Sequence, residues 1–388
     1  MTSPPALQLV DRNFLKVRGR RLVFFGGCDY FRLASHPKVL AAVARGVRQF
    51  GLNVAASRTT TGNHALYETL EKALGKFFGA ESAVLLSSGY VAGMAVAQAL
   101  AGRFTHVLID ERSHGCLHDA ARMFGVSVLP FSHRDVFSLK RALHCCGRRA
   151  RPVLLTDGMF SHDGSIAPVR EYLKMLPKDG LVVLDDAHGA GTLGTQGRGT
   201  LEIEGVDRRR VIQTISLSKA FGVYGGAALG SRELRETIRS RSRLYIGNTP
   251  MPLPLAQAAL VAVEIMTSNR TMRRRLGTNV ARVKNALIKA GYPVLPTPGP
   301  IVPFLPENPN EAARFSRELL RRGIYPPFIR YPGSPQGGYF RFVISSEHTF
   351  DQLDLLVELL AKRALARDLV DSKHRVNRQK NQNRRKTA

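Results

Sequence analysis

The sequence lacks the features that define a membrane-spanning, secreted or disordered protein. None of its apolar runs approaches the ~18 consecutive residues of a transmembrane helix. Residues 1–18 contain no apolar stretch between a basic start and a small-residue cleavage site, so we do not expect a signal peptide. Hydrophobic residues make up 44% of the 388 residues, which is too many for a mostly disordered chain. The length predicts about two globular domains.

Cysteine is scarce and shows no recognisable pattern. The chain contains four cysteines, which form neither a CxxC pair nor a disulfide framework: Cys28, Cys116, Cys145 and Cys146. Structural disulfides are rare in reducing compartments. The sequence therefore predicts a cytoplasmic protein.

Acidic residues are few, and the excess of basic residues needs an explanation. The 57 Lys+Arg against 30 Asp+Glu leave a formal charge of +27. Most arginines lie in short scattered clusters, and only residues 372–388 concentrate seven basic residues without an acidic one. We find no zinc-finger spacing, basic-leucine heptad or RNP-type motif, so we do not expect nucleic acid as the partner. Small anionic ligands such as phosphorylated cofactors suit scattered arginines better.

The central part of the chain alternates between strand and helix patterns, which predicts an α/β fold with a mostly parallel sheet. Two of the expected strands, 152–156 and 181–184, are almost wholly apolar, as strands buried on both faces are. Strands are expected at 82–86, 106–109, 126–129, 152–156, 181–184, 211–215 and 226–229. Helices are expected at 37–50, 65–78, 89–101, 136–145 and 168–176, and from 255 onward.

The two ends of the chain show different patterns. Residues 1–20 are polar and irregular, and 20–25 form a short extended run. From about Met272 the pattern indicates a second domain. Its expected elements are helices at 277–290, 310–323 and 350–366 and strands at 292–295, 301–304 and 339–344.

Polar residues follow several predicted strands, at the sheet edge where ligands of parallel sheets bind. Asp185, Asp186 and His188 directly follow strand 181–184. Lys219 follows strand 211–215 among small and apolar residues, and desolvation there would make it a Schiff-base former. Each signal alone also fits a structural role, such as a helix cap, an ion pair or a surface lysine.

Two further segments complete a recognisable order. Ser87-Ser88-Gly89-Tyr90 lies between a strand and a helix, where backbone N–H groups can hold a phosphate. His114 follows strand 106–109. A phosphate loop, a histidine, a strand-end aspartate and a lysine, in this order, are what a pyridoxal-phosphate site requires. The lysine binds the aldehyde, and the carboxylate keeps the pyridine nitrogen protonated.

The motifs that carry these residues resemble those of the α-oxoamine synthases, the fold-type I pyridoxal-phosphate enzymes that include 8-amino-7-oxononanoate synthase and glycine C-acetyltransferase. The resemblance extends from about Asp29 to Leu360. The most specific segments are LDDAHGAGTLGTQGRG (184–199) and SLSKAFGVYGG (216–226). Supporting segments are DYFRLASHP (29–37), SSGYVAG (87–93), DERSHGCLHDAAR (110–122) and TDGMFSHDGSIAPV (156–169).

The resemblance implies a role for each matching residue on the cofactor side. Lys219 matches the lysine bound to the cofactor aldehyde, and Asp185 matches the carboxylate on the pyridine nitrogen. His188 matches the partner of the phenolic oxygen, and His114 matches the histidine stacked on the ring. The remaining cofactor residues implied by the resemblance are Ser88, Gly89, Tyr90, Ser161 and Ser216.

On the substrate side the sequence departs from the family pattern. Arg341 matches the arginine that binds the amino-acid carboxylate, as its guanidinium fork permits. Cys28 stands where the family usually has a substrate-contacting asparagine, and Tyr67 stands where it usually has histidine, with His64 nearby. Two further departures lie at Ala55–Arg58 and at Phe31-Arg32. Cofactor binding is thus better supported by the sequence than either substrate is.

The resemblance implies a fold-type I transferase with a mostly parallel central sheet, helices on both faces and a smaller α+β domain. We expect an N-terminal segment (1–40) that packs with the small domain, a large cofactor domain (41–268), a small domain (269–366) and a basic, disordered tail (367–388). We also expect a homodimer, because enzymes of this kind build their sites across a dimer interface.

The implied activity is condensation of an amino acid with an acyl-CoA or acyl-carrier thioester, with decarboxylation to an aminoketone. Lys219, His114, Asp185 and His188 are the expected catalytic residues. Cys28, Tyr67 and Arg341 are the expected substrate contacts, and no metal is expected. Two alternatives stay open: an aminotransferase of the same fold and cofactor, and a basic polyanion-binding protein on a degenerate version of this fold.

Overall fold

The computed structural model describes residues 6–330, 335 and 337–364. The predicted tail at 367–388 lies outside these residues. The strands are β1 Gln8–Asp11, β2 Phe14–Val17, β3 Arg20–Val23, β4 Ser82–Leu86, β5 His106–Asp110, β6 Ser127–Phe131, β7 Pro152–Asp157, β8 Leu181–Asp185, β9 Val211–Ser216, β10 Gly226–Gly230, β11 Ile301–Phe304, β12 Phe328–Ile329 and β13 Tyr339–Val343.

The helices surround these strands, and the last one spans 350–364. They are α1 Pro37–Phe50, α2 Ala65–Phe78, α3 Gly89–Leu100, α4 Gly115–Met123, α5 Val136–Cys146, α6 Val169–Met175, α7 Thr200–Glu204, α8 Arg232–Arg241, α9 Arg243–Ile246, α10 Leu253–Ser268, α11 Arg270–Lys289, α12 Pro309–Arg321 and α13 350–364. Within the described part of the chain, no helix is long and apolar enough to cross a bilayer.

The large sheet has seven strands in the order β4-β10-β9-β8-β7-β5-β6. The strands from β9 to β6 pair in parallel, and β10 is antiparallel to both of its neighbours. Strands β7 and β9 are buried along their whole length because helices cover both faces. The mostly parallel α/β sheet predicted from the sequence is confirmed.

Three groups of apolar side chains fill the space around this sheet. One lies between the sheet and α3 and α4, and another between the sheet and α5 and α6. The third joins α1, α2 and α10 to the C-terminal part of the chain. The large sheet is therefore held rigidly from both faces, and its strand ends are fixed in position.

The C-terminal part contains a second, antiparallel sheet in the order β11-β13-β12. Helix α12 packs on it through Phe315, whose ring lies 4.8 Å from the ring of Phe304 and 5.1 Å from that of Phe340. Arg341 on β13 donates to the carbonyl of Ser161, which follows β7, so it lies between the two parts of the molecule.

The N-terminal segment is bonded to this C-terminal part. The N–H of Val23 donates to Gly323, and the N–H of Val343 donates to Phe25. Ser346 then donates to Tyr30. These bonds fix the segment that carries Cys28 against the end of β13.

Two sequence-based expectations for secondary structure were wrong. Residues 8–17 form β1 and β2 where we expected irregular chain, and they pair with β3, which lies in the extended run expected at 20–25, as a three-stranded antiparallel sheet. Strands β1 and β2 have only four residues each, too few to show a clear alternation of polar and apolar side chains. The strand expected at 292–295 is absent because Pro293 lacks an N–H and the N–H of Val294 donates locally to Tyr292.

Candidate functional site

A cavity of about 280 Å³ opens at the carboxyl edge of the large sheet. Strands β5, β7, β8 and β9 all end there, because parallel strands present the same ends at one edge. Eight of the nine predicted cofactor residues line it: Ser88, Gly89, Tyr90, His114, Asp185, His188, Ser216 and Lys219.

One end of the cavity is shaped for an anion. Helix α3 begins there at Gly89, and the hydroxyl of Ser88 caps it by accepting the N–H of Val91. The first turn of a helix presents backbone N–H groups and a partial positive charge. A Cβ at Gly89 would lie 2.6 Å from Cβ of Ser216, so only glycine leaves room for this approach. The geometry fits a phosphate group.

The opposite wall carries a buried carboxylate, Asp185, at the end of β8. Its Oδ1 accepts the N–H of Ala187 at 3.0 Å, and its Oδ2 accepts the thiol of Cys116 at 3.1 Å. Asp157 is its neighbour across the sheet. Burial and the nearby Asp185 raise the pKa of Asp157 well above its usual range, so Asp157 carries the proton.

Two neutral histidines flank the cavity. Burial lowers the pKa of His188 well below its usual value, and the charges of Lys219 and Arg341 lower it further. Burial also lowers the pKa of His114, with Lys219 acting in the same direction and Asp185 against it. Neutral imidazoles can stack on an aromatic ring and donate one hydrogen bond each.

Hydrogen bonds hold both histidine rings in place. The hydroxyl of Tyr30 lies 2.7 Å from Nδ1 of His188, so Nε2 is the ring nitrogen left for a ligand. Nδ1 of His114 accepts the backbone N–H of Cys116 at 3.3 Å, and the backbone N–H of His114 donates to Oδ1 of Asp157 at 3.1 Å.

Lys219 lies in the turn that follows β9. The hydroxyl of Ser216 accepts the N–H of Ser218 at 3.2 Å, and the carbonyl of Lys219 accepts the N–H of Gly222 at 3.0 Å. The turn therefore holds the half-buried amine among the lining residues of the cavity, together with Asp185 and the two histidines.

Asp186, which also follows β8, has a structural role. Its carboxylate accepts the N–H and the hydroxyl of Thr200 at 2.8 and 2.7 Å and the amide of Gln213 at 2.6 Å. Burial raises its pKa to about 7, although these bonds oppose the rise. Asp186 is fully buried and does not line the cavity.

The predicted substrate residues meet next to this cavity, except Tyr67. Arg341 Nη1 donates to the carbonyl of Ser161 at 3.2 Å, and Nη2 lies 3.8 Å from Sγ of Cys28. Ser161 thus contacts Arg341 through its backbone and does not line the cofactor cavity. The contact of Arg341 with Cys28 joins residues 313 positions apart in the chain.

Tyr67 lies in the hydrophobic core. It is fully buried, and its hydroxyl donates to the carbonyl of Met251 at 2.7 Å. The nearby His64 caps α2 by accepting the N–H of Leu66. These contacts are structural, and they lend no support to the predicted substrate contact of Tyr67.

Sequence reasoning missed three residues of the site: Tyr30, Cys116 and Asp157. All three lie inside the quoted motifs, in the segments DYF, HGC and TDG. Asp157 ends a wholly apolar strand, and this signal could have found it. Nothing in the sequence indicated that Cys116, two residues after His114, would reach Asp185.

Comparison with known proteins agrees with this geometry. The family model for aminotransferase class I and II matches residues 25–360. An 8-amino-7-oxononanoate synthase from Thioalkalivibrio sulfidiphilus is 36% identical over 347 residues, covering 89% of this chain and 88% of the relative. 8-Amino-7-oxononanoate synthase 1 of Bacillus subtilis is 32% identical over 360 residues, covering 92% of both chains.

The fold agrees as well. A serine palmitoyltransferase from S. paucimobilis with bound PLP superposes with a TM-score of 0.86 at 26% identity, covering 93% of this chain and 92% of that one. The anion cradle, the buried carboxylate, the flanking histidines and the lysine all fit this cofactor. The chain belongs to the aminotransferase class I and II family and, within it, to the α-oxoamine synthases, whose cofactor is pyridoxal 5'-phosphate.

Proposed function

We propose that the protein is a pyridoxal-phosphate-dependent C-acyltransferase of the 8-amino-7-oxononanoate synthase type. It condenses an amino acid with an acyl thioester and releases carbon dioxide, leaving an aminoketone. The observation that carries the proposal is the grouping of Lys219, Asp185 and His114 around one cavity, with Arg341 beside it. The relatives at 32–36% identity over most of the chain support it.

The residues of the cavity would each hold one part of the cofactor. The first turn of α3 and Ser216 would hold the phosphate, and Asp185 would bind the pyridine nitrogen. Nε2 of His188 would donate to the phenolic oxygen, and His114 would lie against the ring. When bound, the cofactor supplies an electron sink for the carbanion formed at the substrate α-carbon.

Lys219 would carry the proton that moves in the reaction. Its amine, when not bound to the cofactor, would accept the α-proton of the amino acid and later return it. Arg341 binds the substrate carboxylate through two parallel N–H groups and so orients the amino acid. The N–H of neutral His114 can donate to the thioester carbonyl at which negative charge develops.

We also propose that the protein is a cytoplasmic homodimer. The segment Ser57 to Gly62 is the part of the chain through which related enzymes reach the phosphate of the neighbouring subunit. The thiol state agrees with a reducing compartment, because all four cysteines are free.

Substrate screening tests the proposed activity. The purified holoenzyme is mixed with pairs of one amino acid, starting with L-alanine, and one acyl-CoA, and free CoA is measured with a thiol reagent. We expect CoA release that requires both substrates and is absent in Lys219→Ala. Failure across a broad panel of amino acids, acyl-CoA and acyl-carrier thioesters would rule the proposal out.

The second candidate is transamination by the same site, and Cys28 is the observation that favours it. Cys28 contacts Arg341 where the family usually has asparagine, which changes the surroundings of the arginine that would bind the substrate carboxylate. Conversion of the bound cofactor to pyridoxamine phosphate by an amino acid alone would select this candidate.

A further inference from the structure

Cys116 lies between Asp185, which would bind the pyridine nitrogen of the cofactor, and His114, which would lie against the face of its ring. Its side chain is 3% exposed, at the first turn of α4. Its Sγ is 3.1 Å from Oδ2 of Asp185 and 3.0 Å from Nδ1 of His114. Cys116 therefore touches both the carboxylate for the pyridine nitrogen and the histidine for the ring face.

The thiol hydrogen has one acceptor available. Nδ1 of His114 already accepts the backbone N–H of Cys116, and a neutral ring nitrogen has a single lone pair. Oδ2 of Asp185 accepts no other hydrogen bond among the described residues. Burial and the Asp185 charge raise the pKa of Cys116, so the thiol stays protonated and donates to Asp185.

We propose that Cys116 is a positioning residue for the cofactor: its thiol holds Asp185 in line with the pyridine nitrogen, and its backbone N–H fixes the ring of His114. Asp185 needs both anchors, because the N–H of Ala187 holds Oδ1 and Cys116 holds Oδ2. With one anchor removed, the carboxylate can rotate about its Cβ–Cγ bond.

The weakness of the thiol as a donor suits this role. A thiol is a weaker hydrogen-bond donor than a hydroxyl, so it orients the carboxylate while drawing little of its negative charge. The carboxylate of Asp185 therefore remains available to the pyridine nitrogen. The proposal rests on cofactor binding only, and its test needs neither an amino acid nor a thioester.

Titration of the cofactor-free protein with pyridoxal phosphate tests the proposal. The dissociation constant, the visible absorbance and the circular dichroism of the bound cofactor are compared for the wild type, Cys116→Ala and Cys116→Ser. Cys146→Ala is the matched control, because its half-buried thiol also donates a hydrogen bond, to Ala142 on α5. A chelator is included, because His114, Cys116 and Asp185 offer ligand atoms within 4.8 Å of one another.

We expect Cys116→Ala to raise the dissociation constant about tenfold, because a misaligned Asp185 loses its hydrogen bond to the charged pyridine nitrogen, and to weaken the circular dichroism band. Cys116→Ser keeps a donor and is expected to stay within about threefold of the wild type. Cys146→Ala is expected to change neither quantity. Unchanged binding and spectrum in folded Cys116→Ala would overturn the proposal.

A double-mutant cycle separates positioning from a general packing effect. In an Asp185→Ala background the thiol has no carboxylate to orient, so adding Cys116→Ala is expected to change cofactor affinity less than about twofold. The same tenfold loss in both backgrounds would show that Cys116 acts through packing alone. Thermal melting of each variant confirms that the compared proteins are folded.

Discussion

The cofactor side and the substrate side of the site are built in different ways. Cofactor residues come from one sheet edge, between residues 88 and 219, and covering helices hold that edge from both faces. The substrate side joins Cys28 to Arg341, which are 313 positions apart. The rigid sheet edge holds the cofactor residues in position. The contact between Cys28 and Arg341, which are distant in the chain, can change with the substrate.

We expect substitutions on the cofactor side to have the largest effect on activity. Lys219→Ala removes the only amine that lines the cavity among the described residues. We expect CoA release to fall by about 10³-fold, because proton transfer by a positioned group contributes 10²–10⁴-fold. Initial rates at saturating substrates check this, with the exposed Lys174→Ala as control. A fall of less than tenfold would contradict the assignment.

The packing of the N-terminal segment against the C-terminal part, on the substrate side, is expected to lose stability in acid. His348 is 4% exposed, its Nδ1 accepts the N–H of Ser345 at 3.0 Å, and its Nε2 lies 3.1 Å from the carbonyl of Phe24. Burial lowers its pKa to about 3. The unfolded chain then binds a proton at higher pH than the folded one. The contribution of neutral His348 to the free energy of unfolding is therefore complete above pH 6.5 and is lost as the pH falls towards 3.

Urea unfolding between pH 7 and 4 measures this loss. We expect the wild type to lose up to about 3 kcal/mol more than His348→Asn over this range, because each unit of pKa difference is worth about 1.4 kcal/mol. The variant is expected to be less stable at pH 7, where it lacks the stacking of His348 on Phe25. Parallel curves for the two proteins would exclude His348 as the acid-sensitive group.

Arg341→Ala is expected to weaken binding of the amino-acid substrate without releasing the cofactor. Loss of a charged hydrogen-bonding group raises KM for the amino acid by about 30-fold, while cofactor affinity stays unchanged. The exposed Arg322→Ala, which breaks an ion pair with Glu358, is the matched control. Equal losses of cofactor and amino-acid affinity would show that the two sides are not separable.

The smallest effect is expected from Cys28→Asn, which introduces the residue usual in the family. The sulfur lies 3.8 Å from Nη2 of Arg341, so it makes a weak contact, and an amide oxygen is a better acceptor. We expect a two- to threefold lower KM, as estimated from one neutral hydrogen bond, and an unchanged cofactor spectrum. A switch of the reaction product would instead make Cys28 a determinant of the reaction.

The same contrast explains what the sequence could predict. The central strands β7 and β8 are almost wholly apolar, and the polar residues at and after the strand ends mark the cavity directly. The substrate contact of Tyr67 stays a prediction, and its chain position did not show that its hydroxyl donates to the carbonyl of Met251. Cys116 and Tyr30 were missed because their partners, Asp185 and His188, lie far along the chain and meet them only in the folded protein.

The carbon balance of the reaction tests the central claim most directly. The holoenzyme is mixed with an amino acid labelled in its carboxyl carbon and with an acyl-CoA, and labelled carbon dioxide, free CoA and the organic product are measured together. We predict one labelled carbon dioxide for each CoA released, with an aminoketone as the product. Pyridoxamine phosphate without carbon dioxide, or CoA release without loss of the label, would contradict it.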